Sequence, residues 1–133
     1  FIEKTVKSVL AQSFTDFEII IVDDGSTDNT SEVIARIEDS KISYHYKQNE
    51  ERAVARNTGA KFAKGRYITF LDSDDILYEN HLEKAFQVIN KYKNPEWFHL
   101  GYEVRNSTTV YQTVNCLPEI ANDLLIEYNY LSC

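Results

Sequence analysis

The sequence predicts an α/β fold, a mainly parallel sheet flanked by helices, in a single domain over residues 1–133. Segments with apolar residues at helical spacing alternate with short apolar runs along the chain. That alternation is typical of parallel sheets covered by helices. Acidic residues follow two of the apolar runs, and ligands of such sheets bind beyond the carboxyl ends of the strands.

The first elements follow from apolar spacing and turn residues. Residues 1–12 are predicted to be an amphipathic helix, because their apolar side chains recur at helical spacing. Residues 17–22 are a run rich in β-branched residues, typical of a strand buried on both faces. Turn-forming residues occupy 23–30. Asn29, with Glu32 three residues later, predicts the capped start of a second helix.

The middle of the chain continues this alternation. Apolar and polar side chains alternate over 42–46, which predicts a second strand. Residues 52–64 are rich in alanine and predict a helix, with Gly65 as its C-terminal stop. Residues 67–71 predict a third strand, and helical spacing over 82–89 predicts a further helix after it.

The C-terminal part is predicted to hold two further strands, over 97–104 and 109–114, and then a helix that Pro118 opens. The chain has no methionine, and its first residues already show the spacing of a helix in progress. Residues 130–133 continue a structured region to the last position. We therefore expect a fragment, truncated at both ends.

Composition limits the function classes. The net charge is −7, from 14 basic and 21 acidic residues, and nonspecific nucleic-acid binding needs a basic surface. We therefore expect no nucleic-acid partner. An acidic protein that binds an anionic nucleotide needs a metal ion to mediate. The two cysteines show neither metal-ligand spacing nor a disulfide framework, and no apolar stretch is long enough to span a membrane.

The acidic run at residues 72–75, Asp-Ser-Asp-Asp, is the most informative feature of the chain. Carboxylates held close together repel one another unless a positive charge lies between them. Mg²⁺ or Mn²⁺ takes one or two carboxylates together with diphosphate oxygens. The alternative is a cluster at a helix start, where acidic side chains are favoured, and Asp75 fits that alternative.

The pair Asp23 and Asp24 ends the other apolar run and precedes Gly25. A carboxylate at this position can accept the N–H of a pyrimidine base, and a glycine allows backbone and ligand to approach closely. The alternative is a strand-to-helix turn in which these residues serve geometry alone, with Asp23 as the structural member of the pair. Arg56 could bridge to phosphate or pair with the acidic run.

Four motifs, in order and at the usual spacing, resemble the nucleotide-sugar half of inverting family 2 glycosyltransferases, which have the GT-A fold. The resemblance covers residues 1–92. The motifs are SVLAQSF at 8–14, FEIIIVDDGSTD at 17–28, ARNTG with AKG over 55–65, and YITFLDSDD at 67–75.

This resemblance implies a transferase that moves a sugar from a nucleotide-sugar donor, usually a UDP sugar, to a saccharide or lipid-linked acceptor. It implies that Asp24 binds the nucleobase and that Asp72 faces the ribose and diphosphate. It also implies that Asp74 is the main ligand of Mn²⁺ or Mg²⁺, and that Arg56 supports the nucleotide pocket. The expected location is cytoplasmic, including the inner face of the membrane.

The sequence departs from the family pattern in three places. The family's first strand is missing before Phe1, and a glycine often found two residues after Asn49 is Glu51 here. The family's catalytic base lies well downstream of the metal motif, and no residue of this chain is assigned to that role. The acidic residues of the predicted last helix stay unassigned, namely Glu119, Asp123 and Glu127.

The alternative from another class is a phosphoacceptor receiver domain of bacterial signalling. That fold is also doubly wound, and the separation of 48 residues between Asp24 and Asp72 suits it. A receiver also needs a Ser or Thr and then a Lys after later strands, and no such lysine follows here. A nucleotidyltransferase is a further possibility, but its glycine-rich phosphate loop is absent.

Overall fold

The computed structural model describes residues 1–96, 98, 100–105 and 108–114. Contacts group the chain into two compact units, residues 1–84 and 85–133, and the single domain stays a prediction. The described helices and strands follow in chain order: α1 (Ile2–Leu10), β1 (Ile19–Asp24), α2 (Thr30–Ala35), β2 (Ile42–Lys47), α3 (Glu51–Phe62), α4 (His81–Lys91), β3 (Tyr102–Arg105) and β4 (Val110–Val114).

The first unit is built on a parallel pair of strands, as the alternation of elements predicts. β1 pairs with β2 from Ile19 opposite Ile42 to Asp24 opposite Lys47. Helix α3 packs closely on β1 at Gly59. A Cβ added at this glycine would lie only 3.3 Å from Cγ2 of Val22. Both strands therefore deliver their last residues, an acid and a lysine, to the same edge of the sheet.

The prediction of a third strand over 67–71 is wrong. These residues have no strand partner among the described residues. Ile68 and Phe70 are 50% and 52% exposed, which is too open for a buried central strand. An apolar run supplies the side chains for a strand, but a strand also requires a neighbour for its ladder of hydrogen bonds.

Three local predictions also need correction. The first strand begins at Ile19 rather than at residue 17 and includes the acidic pair, and its apolar side chains are half-buried rather than buried on both faces. Helix α3 ends at Phe62, with extended backbone at Ala63, so Gly65 is not its stop. The side chain of Asn29 makes no capping hydrogen bond.

The acidic loop, residues 72–75, and the residues after it are held by side chains of α1 and of Gln12, which follows α1 by two residues. The Thr5 hydroxyl donates to the carbonyl of Ser73 at 2.7 Å, and the hydroxyl of Ser8 accepts from the N–H of Leu77 at 3.1 Å. Gln12 is buried; its amide donates to the carbonyl of Tyr78 at 2.8 Å and its oxygen accepts from the N–H of Leu82 at 2.9 Å. The sequence motif that spans the end of α1 and the following turn therefore anchors the backbone within the acidic loop and after it.

The second unit contains an antiparallel pair, β3 with β4, with an irregularity between Val104 and Arg105. The strand predicted over 109–114 is thus confirmed, whereas that predicted over 97–104 is short and begins at Tyr102. The helix predicted after Pro118 lies outside the described residues. No helix among the described residues has the length and apolar character needed to cross a membrane.

Candidate functional site

A cavity of about 550 Å³ opens in the first unit between β1 and the residues that precede the acidic loop. Apolar side chains of α1, of β1 and of residues 67–71 contribute to its lining. Its polar lining includes three of the predicted site residues, namely Asp24, Arg56 and Asp72, together with Arg52. The structure therefore brings the two acidic sequence motifs to one concave surface.

Asp23 has a structural position. It is buried, and its carboxylate accepts hydrogen bonds from the hydroxyl of Tyr44 and, at 2.7 Å, from the N–H of Ser26. Burial raises the pKa of Asp23, but the hydrogen bonds from Tyr44 and Ser26 outweigh it and lower that pKa. Burial and the bond to Asp23 raise the pKa of Tyr44 to about 12. This pair ties β1 to β2 at the turn, as the structural reading of Asp23 predicts.

Asp24 has a different set of partners, at the end of β2 and in the residues that follow it. One carboxylate oxygen, Oδ1, accepts from the ammonium of Lys47 at 2.6 Å and from the N–H of Glu50 at 3.0 Å. The hydrogen bond from Lys47 is the main reason that the pKa of Asp24 is lowered. The carboxylate is therefore ionised at neutral pH and is held in one orientation.

Gly25 brings the two loops into contact. Its φ of +83° lies in the left-handed region, and a Cβ there would lie 2.9 Å from the backbone N of Asn49. A side chain at this position would be strained and would also push the loop after β2 away. The glycine thus lets the backbone after Asp24 lie directly against Asn49, between Lys47 and Glu50.

Arg56 lies on α3 and pairs with the acidic loop. Its guanidinium donates to Oδ1 of Asp72 at 2.9 Å, and its Cζ lies 5.7 Å from the ring centre of Phe70. Arg52, one turn earlier, lies 3.9 Å from Oδ2 of Asp72. The pairing of Arg56 with the acidic run is thus observed, and it leaves the predicted contact with nucleotide open.

Asp74 and Asp75 complete the acidic loop without such a counter-charge. The structure gives Asp74 no hydrogen bond or ion pair to any described residue, and its side chain is exposed. Partial burial, followed by the negative charges of Asp74 and Asp72, raises the pKa of Asp75. Within the described ranges, no three His, Cys, Asp or Glu side chains are grouped closely enough to hold a metal ion alone.

The sequence motifs did not single out Lys47, which contacts Asp24. Lys47 is the last residue of β2 and lies opposite Asp24 in the strand register. The sequence offered one signal for this residue: a lysine follows the predicted strand over 42–46, just as an acidic pair follows the predicted strand over 17–22. The register that joins them became known only from the pairing of the strands.

Comparisons with known proteins agree with the arrangement of these motifs. The model of the family described as "Glycosyl transferase family 2" matches residues 1–114. A protein of Rickettsia conorii named an uncharacterized glycosyltransferase is 43% identical over 109 residues, which cover 81% of this chain and 18% of the relative. These comparisons give no support to a receiver domain.

Two relatives from Escherichia coli have more specific names. WfgD, named a UDP-Glc:alpha-D-GlcNAc-diphosphoundecaprenol beta-1,3-glucosyltransferase, is 36% identical over 82% of this chain and 43% of its own length. WfaP, named for the same activity, is 36% identical over 97% of this chain and 51% of its own length. The chain thus spans about half or less of these relatives.

Proposed function

The chain belongs to glycosyl transferase family 2, and on that premise we propose that the intact protein transfers a sugar from a UDP-linked donor, with inversion and with the aid of a divalent metal ion. The observation that carries the proposal is the shared cavity lining of Asp24, Arg56 and Asp72. The carboxylate on one side suits a base N–H, and the guanidinium on the other suits an anion. A nucleoside diphosphate presents both groups.

The choice of UDP rests on Asp24 and on two relatives. An ionised carboxylate can accept a hydrogen bond from the N3–H of uracil, and the lowered pKa of Asp24 favours its ionised form. Two relatives are named for UDP-Glc as donor. The acceptor we propose is a saccharide or lipid-linked saccharide, because both names include a diphosphoundecaprenol-linked acceptor. Such an acceptor would place the protein in the cytoplasm at the inner face of the membrane, in polysaccharide biosynthesis.

The acidic loop fits a site for Mn²⁺ or Mg²⁺ that forms only with substrate. Asp74 has an exposed carboxylate without a counter-charge among the described residues, and such ions commonly use one or two carboxylates plus substrate phosphate oxygens. The bound ion would neutralise the charge that develops on the departing diphosphate. We propose Asp74 as its main ligand and Asp72 as the neighbour facing the ribose and diphosphate.

The remaining chemistry requires a base that deprotonates the acceptor hydroxyl as it attacks the anomeric carbon. The bond from that carbon to the diphosphate breaks as the new glycosidic bond forms, so the configuration inverts. No described residue is assigned as that base. The proposed role of this chain is donor binding and stabilisation of the leaving group.

The test is a titration of UDP against the intact protein, with and without Mn²⁺. The proposal predicts that Mn²⁺ tightens UDP binding and that Asp74→Ala removes this gain. Asp16→Ala, which changes an exposed aspartate outside the cavity, should keep it. Absent or metal-independent UDP binding by the wild-type protein would contradict the proposal.

A further inference from the structure

Lys47 has a role that the sequence motifs do not assign. Its side chain is 16% exposed and that of Asp24 is 19% exposed, so both charges are largely withdrawn from water. They lie opposite each other at the carboxyl ends of the parallel strands. Partial desolvation favours the neutral amine, but the hydrogen bonds to Asp24 and Glu50 raise the pKa of Lys47. The lysine is therefore a fixed cation beside the carboxylate proposed to bind the base.

The ammonium group of Lys47 has no donor left over. Its three contacts are Oδ1 of Asp24 at 2.6 Å, the carbonyl of Gln48 at 2.7 Å and Oε2 of Glu50 at 2.8 Å. An ammonium has three N–H donors. A direct bond from Lys47 to a phosphate would therefore break one of these contacts, which argues against Lys47 as a phosphate ligand.

The two oxygens of the Asp24 carboxylate are not equivalent. Oδ1 accepts from the ammonium of Lys47 and from the backbone N–H of Glu50, and the backbone N–H of Glu51 is a further donor to this carboxylate. Asp24 also lines the cavity. A carboxylate offers about four acceptor sites, so these donors hold it in one orientation while Oδ2 keeps capacity to accept a bond from a ligand.

We propose that Lys47 is a positioning residue, which holds the Asp24 carboxylate so that Oδ2 accepts the N3–H of the uracil base. This inference rests on the proposed function and assigns the base specificity of that site to a Lys47–Asp24 pair. Lys47 itself does not touch the nucleotide. Its effect is on the discrimination between bases that carry this N–H and bases that do not.

The experiment compares UDP with N3-methyl-UDP, which lacks the N–H, by calorimetric titration of the intact protein. The wild-type protein should prefer UDP by about 10-fold or more, the scale expected when a charged acceptor loses its donor. Lys47→Met should reduce that preference several-fold and raise KM for the donor while leaving kcat nearly unchanged. Lys47→Arg, which keeps a cation, should restore most of the preference.

A matched control is Lys61→Met, which removes an exposed lysine of α3 outside the cavity lining and should leave the preference unchanged. The proposal is overturned if Lys47→Met is folded by circular dichroism and keeps the full preference for UDP. It is also overturned, without any variant, if the wild-type protein binds N3-methyl-UDP as tightly as UDP. If the wild-type protein binds no uridine nucleotide at all, the proposed function itself fails.

Discussion

The two acidic sites of this chain differ in where their counter-charge comes from. At the end of β1, Asp24 has a lysine of its own protein at 2.6 Å. In the acidic loop, Arg56 pairs with Asp72 at 2.9 Å, while Asp74 has no cationic partner among the described residues. The first site has its counter-charge before a ligand arrives, whereas the role proposed for the second requires a cation from outside. The comparison predicts that base binding is independent of metal and that diphosphate binding depends on it.

The two sites also differ in how the fold holds them. Asp24 is positioned by the β1–β2 strand pair and by the close loops around Gly25. The acidic loop has no strand partner among the described residues; side chains bond its backbone and that of the residues after it, those of Thr5, Ser8 and Gln12. Positioning by a few side chains makes the second site more sensitive to single substitutions in its scaffold.

The largest effect is expected for Asp74→Asn in a transfer assay with metal. Loss of the proposed ligand charge should lower kcat/KM on the order of 100-fold, the scale seen when one group that stabilises transition-state charge is removed. Asp75→Asn should have a much smaller effect, because Asp75 is not the proposed ligand. The helix start predicted at Asp75 is wrong, since α4 begins only at His81. An equal loss in both variants, or a larger loss in Asp75→Asn, contradicts the assignment of the metal to Asp74.

A smaller effect is expected for Gln12→Leu on stability. The substitution removes the acceptor of the Leu82 N–H, while the carbonyl of Tyr78 loses the Gln12 amide but keeps the N–H of His81. A buried donor without its acceptor typically costs about 1–3 kcal/mol. Urea denaturation measures the free energy of unfolding. Gln48→Leu, at an exposed position, serves as the control and should change it little. A Gln12→Leu protein as stable as the wild type would show that Gln12 does not hold the backbone that follows the acidic loop.

Alkaline pH probes the scaffold of the first site. The pKa of Tyr44 is raised to about 12, from about 10 in an unfolded chain. A raised pKa stabilises the fold below pH about 10, and this contribution is lost as the pH rises toward 12. Unfolding free energies of wild type and Tyr44→Phe should therefore converge between about pH 10 and 12.

The control for that titration is Tyr46→Phe, on the same strand but with a side chain that is 63% exposed. Its unfolding free energy should stay parallel to that of the wild type over the same range. If Tyr44→Phe also stays parallel, the bond between Tyr44 and Asp23 does not carry the expected stability.

The smallest effect is expected at Glu51, which opens α3 with a φ of +74°. A residue with a Cβ is strained by about 1–2 kcal/mol there, and glycine relieves the strain but loses about 0.5–1 kcal/mol in unfolded-state entropy. Glu51→Gly should therefore stabilise the fold by about 0.5 kcal/mol in urea denaturation. Glu51→Ala keeps the Cβ and should give no gain; equal gains in both variants would exclude strain as the cause.

The sequence predicts local elements and motif chemistry better than it predicts pairing. Helical spacing identified α1 and α4, and the alternation at residues 42–46 identified β2. It could not show that residues 67–71 would have no strand partner, because hydrogen-bond ladders depend on distant segments. The Lys47–Asp24 pair was missed for a similar reason, since it depends on the register between two strands that are 23 residues apart at this pair.

The most direct test of this division between the two sites compares uridine with UDP, each titrated with and without Mn²⁺. Uridine carries the base without the diphosphate. We predict that Asp24→Asn weakens uridine binding, whereas Asp74→Asn and Mn²⁺ leave uridine binding unchanged. For UDP, we predict that Mn²⁺ tightens binding to the wild type and to Asp24→Asn. Mn²⁺ should not tighten UDP binding to Asp74→Asn. Mn²⁺-dependent uridine binding, or Mn²⁺-stimulated UDP binding in Asp74→Asn, would contradict the account.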